Sequence, residues 1–72
     1  MTREEAIWAA QREAEKHGWP WLEPVDARRS RRWLIGPAVW EVASNAQSKG
    51  MNVRIHIEDE TGRICRAGYT PR

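Results

Sequence analysis

Residues 52–64 read Asn-Val-Arg-Ile-His-Ile-Glu-Asp-Glu-Thr-Gly-Arg-Ile, and no other stretch of the chain restricts its fold as sharply. Val53, Ile55 and Ile57 alternate with Arg54, His56 and Glu58, which is the two-residue period of a strand with one buried face. Asp59-Glu60-Thr61-Gly62 interrupts the alternation. Asp favours a turn there, and glycine takes φ > 0 without steric cost. The β-branched Ile64 restarts extended structure, so the stretch predicts a β-hairpin.

The N-terminal third has a different pattern. Thr2 and Glu5 carry the spacing of a capping box, and Ala, Glu, Gln and Arg then dominate as far as His17. Glu4 and Glu5 open the segment and Lys16 and His17 close it, matching the helix dipole. Gly18 supplies a C-cap and Pro20 prevents continuation. Ala6, Ala10 and Ala14, with Ile7, form a stripe of small apolar side chains that lets a helix lie close on a sheet. A helix is predicted over about 2–17, a stiff Trp/Pro connector over 18–24, and a sheet over about 25–69.

Within the sheet region, Val25 to Arg29 suits a short first strand, and Arg28-Arg29-Ser30-Arg31-Arg32 a polar turn or exposed loop. Trp33-Leu34-Ile35 is broken by Gly36-Pro37 and suits a bulge, an edge or a loop. Ala38 to Ser44 reads as a strand with Trp40 and Val42 inward, followed by a loop to Gly50. The predicted architecture is α+β: one N-terminal helix packed across a three- to four-stranded antiparallel sheet, as a single small domain over 1–72.

A chain of 72 residues has room for one modest core, since ordering costs roughly 1.5 kcal/mol per residue and nearly cancels what burial contributes. Cys65 is the only cysteine, which excludes an internal disulfide and a thiolate zinc site. Five tryptophans and no phenylalanine make indoles the expected bulk of the core, with Trp8, Trp19, Trp33 and Trp40 inside and Trp21 the most exposed. Exposure of several rings points instead to a homodimer or a partner surface. No apolar run approaches the roughly 20 residues of a membrane span, and no leader-like segment opens the sequence. The expectation is a bacterial-type cytoplasmic protein without membrane contact.

Candidate chemistry is sparse. His17 ends the helix and His56 lies on the polar side of a strand, and neither has a nearby Ser or Cys at a spacing that builds a nucleophilic pair. Histidine and cysteine spacings of metal sites are missing, and Gly36, Gly50 and Gly62 are isolated rather than gathered in a phosphate loop. These patterns predict no enzyme, no cofactor and no metal.

One constellation stands above background: Arg28, Arg29, Arg31 and Arg32 beside Trp33, with Arg54 and Arg63 on neighbouring strands. Guanidinium groups pair bidentately with carboxylates and phosphates, and indoles stack on bases or on arginine. The cluster reads as a solvated basic turn, as a protein-binding surface, or as a contact for single-stranded nucleic acid. The formal charge of only +2 favours protein over nucleic acid among the binding readings.

The alanine-rich segment from Glu5 to Gly18, Trp40-Glu41-Val42, and Val53 to Ile64 with Asp59 and Gly62 in the turn give an order of elements that resembles the small PepSY-like domains. That resemblance implies a non-catalytic binding module, in some relatives associated with peptidase inhibition or the cell envelope. The expected function is therefore protein recognition of an inhibitor or immunity type through Arg28, Arg29, Arg31, Arg32, Trp33, Arg54 and His56. The alternative is a nucleic-acid-binding accessory protein using the same residues.

Overall fold

The computed structural model describes residues 1–31 and 38–71. It contains a helix α1 (Arg3–His17) and strands β1 (Asp26–Ser30), β2 (Val39–Ala43), β3 (Asn52–Glu58) and β4 (Ile64–Thr70). The strands form one antiparallel sheet in the order β1-β2-β3-β4. The α+β architecture is as the sequence predicts, with four strands.

Both ends of α1 follow their local chemistry. The Thr2 hydroxyl accepts from the Glu5 backbone N–H at 3.1 Å, and the Glu5 carboxylate accepts from the Thr2 N–H at 2.7 Å. Gly18 takes φ 72° and its N–H returns to the last turn, the left-handed cap that only glycine enters without cost. Ala6, Ala10 and Ala14 are fully buried, so the helix rests on the sheet through methyl groups. Val42, Val53, Ile55 and Ile57 meet them from the sheet.

The tryptophans depart from expectation. Trp19, Trp21 and Trp40 pack half-buried around the rim of this Ala/Val/Ile core rather than filling it. Trp8 is 61% exposed with the Arg12 guanidinium 4.8 Å from its ring centroid. The reason is helical phase: Ala6, Ala10 and Ala14 define the buried stripe, and position 8 lies on the far side of it. Trp33 falls outside the described residues, as does the predicted interruption at Gly36-Pro37.

The loop between β2 and β3 is held from within. The Asn52 side-chain amide donates to the carbonyls of Ser44, Asn45 and Ser48 at 3.1, 2.7 and 3.2 Å. The buried Ser44 hydroxyl accepts from the Val53 N–H at 2.9 Å. Asn45 and Met51 both take φ > 0 here, which side-chain and backbone hydrogen bonds must sustain.

Candidate functional site

Since α1 covers one side of the sheet, the register decides which side chains are left on the other. Arg28, Glu41, His56 and Arg66 form one row across all four strands, each opposite the next. Asp26, Ala43, Arg54 and Gly68 form the adjacent row. These residues alternate with the buried Val42, Ile55 and Ile57 and so lie on the face away from α1. Two shallow depressions mark it, one bounded by Asp26, Arg28, Glu41, Arg54 and His56, the other by Arg54, His56, Arg66 and Gly68.

The sequence candidates divide between the two faces. Arg28, Arg54 and His56 come together on the face away from α1; Arg28 and Arg29 lie in β1, as the predicted first strand has them, and not in the turn predicted to start at Arg28. Arg29 faces the opposite way, in the row of Trp40 and Ile57, and its guanidinium meets the Asp59 carboxylate at 3.0 Å. Arg31 is exposed beyond the end of β1, and Arg32 and Trp33 lie outside the described residues.

Arg66 belongs to the face and was not among the candidates. Simple alternation from the inward-facing Ile64 places Arg66 inward as well. The ladder instead steps from Ile57↔Ile64 to His56↔Arg66, with Cys65 as the extra residue. This bulge reverses the parity of the strand and turns Arg66 outward.

The face mixes charges: Arg28, Arg54, His56 and Arg66 share it with Asp26, Glu41 and Glu58, and Glu58 pairs with Arg63 at 3.4 Å. Arg28 approaches Asp26 at 3.4 Å, a contact between two exposed side chains, where pairing contributes little. Glu41 is half-buried and engaged. Among the described residues, Arg54 and Arg66 have no ion-pair partner. Three guanidinium groups and an imidazole therefore lie on a surface whose acids, Asp26, Glu41 and Glu58, are each already engaged, which leaves Arg54 and Arg66 as the guanidinium groups without an ion pair among the described residues.

Elsewhere, His17 bonds Glu13 at 2.9 Å and stacks on Trp19 at 4.2 Å between centroids, a local helix-end arrangement. Cys65 is exposed. Among the described residues no group of three or more His, Cys, Asp or Glu is placed to hold a metal ion, and no helix is long and apolar enough to cross a membrane.

Asp59, which the sequence presents as a turn residue, ties the covered side together. Its carboxylate accepts from the Trp40 indole N–H at 2.7 Å and pairs with Arg29. The indole hydrogen bond first, and the charge of Arg29 after it, hold the Asp59 carboxyl below the usual aspartate range, against the opposing effect of burial. A carboxyl with a depressed folded pKa gives stability that is present above its unfolded pKa, near pH 4, and lost as pH falls through the folded value. Glu5 and Glu13 are lowered in the same direction, by the Thr2 cap and by His17 respectively. The chain is expected to lose thermal stability on acidification below about pH 4. Asp59→Asn is expected to show a shallower fall, measured as melting temperature against pH by circular dichroism. Equal slopes in parent and variant would remove Asp59 from this account.

Comparison with protein-family models, with curated proteins and with solved structures returns no match to this chain.

Proposed function

We propose that this protein is a non-enzymatic binding module that recognises an acidic surface of another protein through the open face of its sheet. The observation that carries the reading is the convergence of Arg28, Arg54, His56 and Arg66 on the one face that α1 leaves bare. Arginine is enriched at protein interfaces because its planar fork matches carboxylates, and complementary charge governs both encounter and specificity. Rigid strands fix the spacing of these groups before any partner arrives, which lowers the ordering cost of association. In this reading the module acts in the cytoplasm as an inhibitor or immunity-type protein, and its order of elements is PepSY-like.

The test is titration of the isotope-labelled chain with a short polyglutamate peptide and, separately, with single-stranded oligothymidylate, followed by NMR. Polyglutamate is expected to shift the signals of Arg28, Arg54, His56 and Arg66. The triple variant Arg28→Glu/Arg54→Glu/Arg66→Glu is expected to bind at least tenfold more weakly, or about 1.4 kcal/mol. Shifts confined to the Trp8 side of α1 would overturn the reading. Tighter binding of the oligonucleotide, with affinity falling steeply as salt rises, would replace it with nucleic-acid recognition.

A further inference from the structure

Gly68 sits inside β4, where a glycine weakens a strand through lost backbone entropy and the lack of a side chain to pack. The usual reasons for such a glycine do not apply. The ladder irregularity falls between His56 and Ile57, not at Gly68. The left-handed glycines of the described chain are Gly18 and Gly62. A Cβ on Gly68 would meet nothing within 4 Å among the described residues. The remaining physical reason is close approach of a group from outside.

The surroundings of that opening are cationic. Arg54 lies directly across from Gly68, and His56 lies across from Arg66. Arg66 and Thr70 flank Gly68 on the same face of its own strand. These distances are roughly 5–7 Å in a regular ladder, so two guanidinium groups can close on one small anion. The residues line a depression of about 370 Å³. Neither Arg54 nor Arg66 has an ion-pair partner among the described residues.

We infer that the notch over Gly68 is an oxyanion subsite. It seats a carboxylate of the partner protein between Arg54 and Arg66, with Thr70 and His56 as further hydrogen-bonding groups. A phosphate group presents the same oxygen chemistry. The absent side chain lets the anion reach the surface of the strand, where both guanidinium groups can engage it in parallel. This inference rests on the binding role of the open face and assigns the face its anchor point.

The decisive variant is Gly68→Val, with Gly68→Ala beside it. Both fill the notch and leave every charge in place, and the open space above Gly68 accommodates the new side chain. Valine also suits a strand better than glycine, so the variant is expected to melt at or above the parent temperature. Polyglutamate and inorganic phosphate are each titrated into parent and variants and followed by NMR. In the parent, both probes are expected to give saturable shifts centred on Gly68, Arg54 and Arg66. Gly68→Val is expected to weaken binding of each at least tenfold, and Gly68→Ala by less.

If Gly68→Val binds polyglutamate as the parent does while Arg28→Glu/Arg54→Glu/Arg66→Glu loses it, the subsite is wrong and the binding face stands. If polyglutamate fails but phosphate binds saturably and is lost in Gly68→Val, the subsite stands as a small-anion site. The protein-recognition reading then falls. Diffuse, unsaturable shifts with both probes would overturn the subsite.

Discussion

Replacing Asn52 by Asp is expected to unfold much of the protein at neutral pH and to let it recover as the solution is acidified. Asn52 is only 4% exposed, and its amide donates to three carbonyl oxygens. A carboxylate in the same place has no hydrogen to offer and directs its charge at those oxygens. Leaving an uncompensated buried charge costs about 3–5 kcal/mol, comparable with the whole stability of a small domain, which runs from about 5 kcal/mol upward. The sign with pH is opposite to that of Asp59. Burial and the facing carbonyls raise the folded pKa of the new Asp, so its penalty is full above that value. It shrinks as pH falls through the folded value and is gone below about pH 4, where the acid becomes neutral in both states. Chemical denaturation of parent and Asn52→Asp at neutral and mildly acidic pH measures this. A variant whose stability relative to the parent does not improve on acidification would show that the clamp tolerates an anion.

The clamp explains why the loop after β2 keeps its shape without a core of its own. Ser44 to Gly50 is polar, and composition predicts a loop there and nothing more. What organises it is a residue counted as the first position of a strand, bonding backwards across eight, seven and four positions. Sequence patterning reads side-chain polarity and period. A buried amide that satisfies distant carbonyls leaves no periodic trace, so this element of the fold was invisible until the chain was closed.

The same distinction separates what was legible in the binding face from what was not. Val53, Ile55 and Ile57 declare their face by alternation, and that alone places Arg54 and His56 on the other side. The alanine stripe of α1 and its two caps were equally open to reading, since each depends on residues within one or two turns. Arg28 and Arg29 adjoin in sequence, which suggests one cluster. In a strand, adjacency means opposite faces, and Arg29 serves Asp59 and Trp40 instead. Arg66 required the bulge at Cys65, which no composition signal announces. The tryptophans misled through size: large rings are usually buried, but a helix resting on alanine methyls leaves little depth for an indole at its centre. Trp19, Trp21 and Trp40 gather at the rim, each partly buried against the core.

That shallow core sets the second large expectation. Ile55 is fully buried, opposite Val42 on one side and Ala67 on the other, within a cluster made only of Ala, Val and Ile. Ile55→Ala deletes three carbons from the middle of that cluster, and substitutions of this kind cost about 2–5 kcal/mol, depending on how far the walls collapse. Two features place this site toward the upper part of the range. The sheet side is pinned by hydrogen bonds to strands on both flanks, and the helix side already meets it through methyl groups that have no rotamers to adjust. Neither wall can move far into the void without breaking the ladder or lifting α1. Ile55→Ala is therefore expected to bring the chain close to its unfolding midpoint at 25 °C, read as loss of cooperative melting and of dispersed amide signals. A cooperative transition with less than about 1 kcal/mol lost would mean that the helix settles onto the sheet after all. The close fit of alanine methyls against Val and Ile would then be no longer the source of the fold's stability.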